Sequence, residues 1–169
     1  MKAIFLDRDG TIIHDGGYLY KPTEIKYFSD TFDVLKKLQN LGYALFMVTN
    51  QSGVAKKMFC EADIIKVYNK IQSDLKAQGI KPFVEMAYCP HGPEDDCACR
   101  KPKSKMIDDL VAKWKIDKKN SVMVGDKLID AECGKNAGIH GVVLGQDSKD
   151  YPSVKNLTEF YEWLKKHLG

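Results

Sequence analysis

Residues Lys2–Ile13 read KAIFLDRDGTII. Lys2–Leu6 is an apolar run of the length and composition of a short strand buried on both faces. It runs directly into two carboxylates, Asp7 and Asp9, and then a Gly-Thr turn. In an extended segment, side chains one residue apart leave on the same side, so Asp7 and Asp9 point together. Two carboxylates held that close repel unless a cation stabilises them. Taken alone, Asp-x-Asp-Gly is also an ordinary turn after a strand, so the surrounding pattern has to decide.

The pattern repeats outward from there. Further strands are expected at Ala44–Val48, Val84–Tyr88, Ser121–Val124 and Gly141–Leu144. Between them, Phe32, Leu35, Leu38 and Leu41 have helical spacing that stops at Gly42. Ile64, Val67, Tyr68, Ile71 and Leu75 repeat it and stop near Gly79. A third helix, capped by Ser104, should reach Trp114, and a fourth should span Asp126–Asn136. An amphipathic helix, Leu157–Leu168, capped by Asn156, closes the chain. Strand-helix alternation predicts an α/β fold, a Rossmann-like parallel sheet with helices on both faces. The 169 residues show no linker or repeat, so one domain over 1–169 is expected. His14–Asp30 is long and rich in glycine and tyrosine, and is expected to form a flap.

In such a sheet, ligands bind beyond the carboxyl ends of the strands. Reactive side chains stand at four of those ends: Asp7 and Asp9, then Thr49 and Asn50 in VTNQSG, then Arg100 and Lys101, then Asp126 and Asp130 in GDKLID. Unrelated charges would scatter over both edges. Asp126 added to the first pair makes an oxygen-rich site suited to Mg²⁺. A metal there would let one aspartate approach a phosphorus centre, while the other protonates the leaving oxygen and then deprotonates a water. Charge and spacing do not say which aspartate does which. Thr49 and Lys101 would neutralise charge developing on phosphoryl oxygens. Lys127 would either hold phosphate or pair with a carboxylate.

A second cluster lies in CPHGPEDDCACRKP, Cys89–Pro102. Cys89, His91, Cys97 and Cys99 form a four-ligand set for tetrahedral Zn²⁺, and four protein ligands leave no open position for catalysis. Zinc is therefore expected to be structural, bracing the loop so that Arg100 and Lys101 face the site. Cys60 and Cys133 stand alone and read as packing residues.

Composition limits the partners. With 26 basic and 23 acidic residues the net charge is +3, too small to demand nucleic acid or a membrane, and compatible with a small anionic substrate. The early Asp-Arg-Asp argues against a signal peptide, and thiolate ligands suit a reducing compartment, so a cytoplasmic protein is expected, as a monomer.

The strand-end motifs, DxDGT, the Thr of VTN, the Lys of CRKP and GDxxxD, together resemble those of the haloacid dehalogenase (HAD) superfamily, over nearly the whole catalytic core. That resemblance implies Asp7 as nucleophile, forming an aspartyl-phosphate, and Asp9 as general acid and base. It implies Mg²⁺ held by Asp7, Asp126 and the backbone carbonyl of Asp9, with Thr49 and Lys101 on the phosphoryl group. VTNQSG, the CxH…CxC loop, CRKP, GDKLID and the Gly17-Tyr18 pair are similar to the D-glycero-D-manno-heptose 1,7-bisphosphate 7-phosphatases. Those enzymes lack a large cap domain and make a precursor of lipopolysaccharide or surface heptose. The likeness implies a small phosphorylated sugar substrate, with Asn50, Gln51 and Ser52 near it and Arg100 on its distal end.

Two departures stand out. The metal loop, C-x-H-x5-C-x-C, has the length of the related histidinol-phosphate phosphatases, which are the alternative reading. Lys56-Lys57 also replaces the family's usual Arg-Gly, and a lysine gives no bidentate fork. A polynucleotide 3′-phosphatase would need a basic track with aromatic platforms, which is not evident. A non-enzymatic zinc-knuckle module would leave the four strand-end motifs unexplained.

Overall fold

The computed structural model describes residues 1–169. Six strands, β1 (Ala3–Leu6), β2 (Ala44–Asn50), β3 (Glu85–Cys89), β4 (Val122–Gly125), β5 (His140–Leu144) and β6 (Ser153–Val154), form one parallel sheet in the order β3-β2-β1-β4-β5-β6. The helices are α1 (Thr31–Asn40), α2 (Glu61–Ala77), α3 (Lys105–Trp114), α4 (Leu128–Asn136) and α5 (Leu157–Leu168).

The period-two alternation of the strands divides the core in two. Ile4, Leu6, Leu45, Met47, Val122 and Val124 pack against α1, α2 and α5 through residues such as Leu35, Leu38, Ile71, Leu75 and Phe160. Ala3, Phe5, Phe46, Val48 and Met123 face the other way, onto Met106, Ile107 and Leu110 of α3 and Cys133 of α4. Each face is covered, which is why β1 and β4 are apolar at every position. The architecture is the expected Rossmann-like parallel sheet with helices on both faces, and no large cap domain is present.

Strand order reverses between β1 and β4. The chain walks from β1 to β3 on one side, then crosses back to place β4 against the free edge of β1. The crevice at that switch point is where such sheets bind ligands, and Asp7 and Asp126 flank it directly after β1 and β4.

Several expectations shift. β6 is two residues long, too short for periodicity to reveal. Ser104 stands at the start of α3, but its hydroxyl donates to Asp108 Oδ2 at 2.6 Å instead of capping the backbone. The helix expected from Asp126 begins at Leu128, because Lys127 is extended and its N–H donates to Asp130 Oδ2 at 3.0 Å. That leaves Asp126 outside the helix, with a carboxylate oxygen close to those of Asp7 and Asp130. Cys60 is exposed at the start of α2 and is no packing residue, whereas Cys133 is buried as expected. Asn156 caps α5 by accepting from Glu159 N at 2.9 Å.

The His14–Asp30 segment is tied down at several points. Ile13 bridges to Tyr27, the Tyr27 hydroxyl donates to Asp74 Oδ2 at 2.8 Å, and Leu19 is buried in the core. Tyr20 stacks on Phe59 with ring centres 5.6 Å apart. Its tip around Asp15–Tyr18 is exposed, next to Lys56, whose ammonium lies over the Tyr18 ring.

Candidate active site

A cavity of about 310 Å³ opens over the carboxyl ends of β1, β2 and β4. Asp7, Asp9, Asn50, Gln51, Ser52, Arg100, Lys101 and Lys127 all face it, together with Asp15, Gly17, Tyr18, Ile129 and Asp130. Eight of the expected site residues therefore converge on one polar concavity. Thr49 lies just beneath, 1% exposed, with its hydroxyl oxygen accepting from Gln51 Nε2 at 2.9 Å.

At the floor, Lys101 Nζ donates to Asp7 Oδ1 at 2.8 Å and to the Val48 carbonyl at 2.8 Å, and sits 2.6 Å from Asp130 Oδ1. Burial alone would push this ammonium down, but Asp130 and Asp7 outweigh it and hold it above the ordinary lysine value. Asp7, Asp126 and Asp130 each bring a carboxylate oxygen within 4.8 Å of the others. Burial, then the charge of Asp7, pushes Asp126 up to about 6 against the opposing Lys127. Asp126 Oδ1 is buried without a hydrogen bond.

Two glycines make this crowding possible. A Cβ on Gly10 would lie 2.3 Å from Asp126 Oδ2, and Gly10 also has φ of +76°. A Cβ on Gly125 would lie 2.2 Å from Asp130 Oδ2. The glycines of DxDGT and GDxxxD thus admit the carboxylates as well as shaping turns. An oxygen-only donor set with one orphaned, buried carboxylate oxygen fits a hard cation such as Mg²⁺. Asp130 is largely committed elsewhere, to Lys101 and to the Lys127 N–H, so Asp7 and Asp126 are the available carboxylates.

Asp9 is held differently. Its Oδ2 accepts from Arg8 Nε at 2.9 Å and from Gln51 Nε2 at 3.0 Å, and its Oδ1 accepts from Arg8 Nη2 at 3.1 Å. Burial raises its carboxyl above the ordinary value, with Arg8 opposing and Asp7 adding to the rise. Asn50, expected against substrate, spends its amide on the Lys101 backbone: Nδ2 donates to Lys101 O at 3.2 Å, and Oδ1 accepts from Lys101 N at 3.1 Å. It clamps the stretch carrying the lysine. Lys127 is 3.8 Å from Asp15, pairing with a carboxylate across the cavity mouth.

The knuckle forms as a cluster. Cys89 Sγ lies 3.5 Å from Cys97 Sγ and 3.1 Å from Cys99 Sγ, and His91 Nδ1 lies 3.3 Å from Cys99 Sγ. Three sulfurs and one imidazole nitrogen converging without a disulfide match the ligand chemistry of Zn²⁺. Arg100 leaves the cluster with Nη1 donating to the His91 carbonyl at 3.1 Å, so the brace and the cavity wall share this residue.

Arg8, Asp15 and Tyr18 are not among the expected site residues, and Asp130, expected at the end of the fourth strand, carries no expected role. Asp130 had a signal, since four residues after Asp126 it belongs to GDxxxD. Arg8 had little, because an arginine between two aspartates reads as a solvated charge.

The HAD-hydrolase-like family model matches residues 98–159. The D-glycero-β-D-manno-heptose-1,7-bisphosphate 7-phosphatase of Haemophilus influenzae is 39% identical over 183 aligned positions, covering 98% of this chain and 99% of that protein. The α-anomer enzyme of Campylobacter jejuni is 34% identical, covering 98% and 96%. The D,D-heptose 1,7-bisphosphate phosphatase of B. bronchiseptica, solved with magnesium and phosphate, superimposes with a TM-score of 0.88 at 28% identity, covering 98% and 99%. With relatives this similar along their full lengths, the chain belongs to the D-glycero-D-manno-heptose-1,7-bisphosphate 7-phosphatases, phosphoric monoester hydrolases of the HAD superfamily.

Proposed function

We propose that the chain, acting as one catalytic unit over residues 1–169, hydrolyses the 7-phosphate of D-glycero-D-manno-heptose 1,7-bisphosphate through an aspartyl-phosphate on Asp7. The observation that carries this reading is the floor of the cavity. There the Asp7 carboxylate, with Oδ1 2.8 Å from Lys101 Nζ, faces the same space as Asp9.

An oxygen of Asp7 attacks phosphorus, the bond to the sugar oxygen breaks, and the departing alkoxide takes a proton from the Asp9 carboxyl. A water then gives its proton to Asp9 as its oxygen attacks the same phosphorus, which returns the Asp7 carboxylate and releases phosphate. Lys101 would neutralise the phosphoryl oxygens as charge develops, and the Thr49 hydroxyl would donate a hydrogen bond to them. Asp7, Asp126 and the backbone carbonyl of Asp9 would hold Mg²⁺, whose charge offsets the repulsion between carboxylate and phosphate. Ser52, Arg100 and Lys127, all facing the cavity, are assigned to the sugar and its distal phosphate.

Zn²⁺ on Cys89, His91, Cys97 and Cys99 is proposed as a brace outside the chemistry. A cytoplasmic location is proposed, which five cysteines without a disulfide suit, and so is a monomeric state. The product would feed lipopolysaccharide or surface heptose synthesis.

The test is Mg²⁺-dependent phosphate release from both anomers of heptose 1,7-bisphosphate, from histidinol phosphate and from a 3′-phosphorylated oligonucleotide. A clearly higher kcat/KM for histidinol phosphate, which the short metal loop would favour, overturns the substrate assignment. Asp7→Asn should fold normally and release no phosphate, and residual turnover would exclude Asp7 as nucleophile.

A further inference from the structure

Arg8 is the largest of the fully buried side chains, 1% exposed, and it stands between the two catalytic-site aspartates. A charge taken out of water costs several kcal/mol unless its partners are well placed. Its guanidinium donates twice to Asp9, through Nε at 2.9 Å and Nη2 at 3.1 Å. Nη2 is shared with the Leu19 carbonyl at 3.0 Å and with Gln51 Oε1 at 3.1 Å. Nη1 makes no hydrogen bond within the protein. Gln51, itself 4% exposed, answers with Nε2, which donates to Asp9 Oδ2 at 3.0 Å and to Thr49 Oγ1 at 2.9 Å. One buried network thus joins the DxDGT turn, the His14–Asp30 segment and the end of β2.

The two oxygens of Asp9 are not equivalent in it. Oδ2 accepts from two donors, Arg8 Nε and Gln51 Nε2, which fills its lone-pair directions. Oδ1 accepts from one donor at 3.1 Å and keeps a direction open. A carboxyl pinned at one oxygen and open at the other can carry a proton only at the second. We infer that Arg8, with Gln51, is the positioning residue that makes Oδ1 the proton-transfer atom of Asp9 and references it to the flap segment through the Leu19 carbonyl. This rests on the reading of Asp9 as the acid for the departing sugar oxygen.

The leaving group provides the readout. A sugar alkoxide needs the proton, whereas p-nitrophenolate leaves without one. kcat/KM covers the reaction only through departure of the leaving group, so the later hydrolysis of the aspartyl-phosphate does not enter. Arg8→Met should lower kcat/KM about 100-fold for heptose 1,7-bisphosphate, the scale of a displaced general acid, and less than about fivefold for p-nitrophenyl phosphate. Arg8→Lys, with one donor in place of a fork, should recover part of the loss. Gln51→Leu should give the same asymmetry at smaller size, and it carries the test if Arg8→Met shows no cooperative melting. Equal losses on the two substrates, or none on the sugar phosphate, would overturn the inference. The wild-type protein tests the underlying reading separately. If it leaves heptose bisphosphate untouched but hydrolyses other phosphate esters, the substrate assignment fails and the comparison is made on its best alkyl phosphate. If it hydrolyses none, both fall.

Discussion

Replacing Lys101 by methionine removes the ammonium that pairs with both Asp7 and Asp130 at the cavity floor, 2.8 and 2.6 Å from their oxygens. The lysine side chain is 2% exposed and those of its partners 9% and 1%, so water cannot take over the neutralisation. Removing one partner of a buried pair costs about 3–5 kcal/mol. That is a large part of the roughly 5–15 kcal/mol that stabilises a domain. At about 2–4 °C per kcal/mol for a chain of this size, Tm should fall by about 6–20 °C in EDTA at pH 7.5. The surface pair Lys113–Glu85 is the contrast: it is as short, at 2.7 Å, but its lysine is 60% exposed. Lys113→Met should cost less than about 1 kcal/mol. The deficit of Lys101→Met should also depend on pH. Burial already raises the Asp130 carboxyl and Lys101 opposes that rise, so without the lysine it climbs further; the penalty is small where Asp130 is protonated and grows as pH rises. Differential scanning fluorimetry from pH 5 to 8, with and without Mg²⁺, reads both effects, and phosphate release should drop by about 10²–10³. A Tm within 2 °C of wild type, or a deficit independent of pH, would refute the buried-pair reasoning.

Asp126→Asn should do the reverse in metal-free protein. Its carboxyl, held at about 6, binds a proton more tightly folded than unfolded, so its contribution is favourable below that pH and is lost as pH rises through it. Discounted for partial solvent contact, the substitution should stabilise the EDTA-treated protein by about 1–2 kcal/mol at pH 8 while removing Mg²⁺-dependent activity; a lower Tm would contradict this. For the knuckle, elemental analysis should give about one zinc per chain. With turnover always assayed in excess Mg²⁺, stripping the zinc should lower both Tm and turnover, with recovery on adding back Zn²⁺ but not on raising Mg²⁺ further, and active protein free of zinc would exclude the brace.

The sheet and the four polar strand ends were legible because each is a local pattern: an apolar run, then a reactive residue where the run stops. Asp7, Lys101 and Asp126 could be named without coordinates on that basis. What was not legible depends on pairing between distant loops. Nothing local says that Asn50 is consumed by the Lys101 backbone, or that Gln51 serves Asp9 before any sugar. Arg8 carries no such local signal because burial of a charge is a tertiary property, decided by Leu19 and Gln51. α4 starts two residues later than helical spacing predicts, because spacing does not encode the Asp130 side chain capping the turn. The short metal loop pointed towards another substrate, yet the chain-length similarity is to heptose bisphosphate phosphatases, and the loop still gathers all four ligands.

The central place of β1 has a bearing on how the protein is made. Its first strand pairs on one side with Ala44 onward and on the other with Val122 onward. On the ribosome the first partner follows quickly, but the second edge of an entirely apolar strand stays open until β4 emerges. At ordinary elongation rates that is about 4–15 s. An uncovered edge of that kind recruits other strands. During the same interval Lys101 appears before Asp130, so the salt-bridged floor is incomplete as well. A ribosome stalled between residues 50 and 122 would therefore present a half-sheet, with one edge of β1 still without its β4 partner.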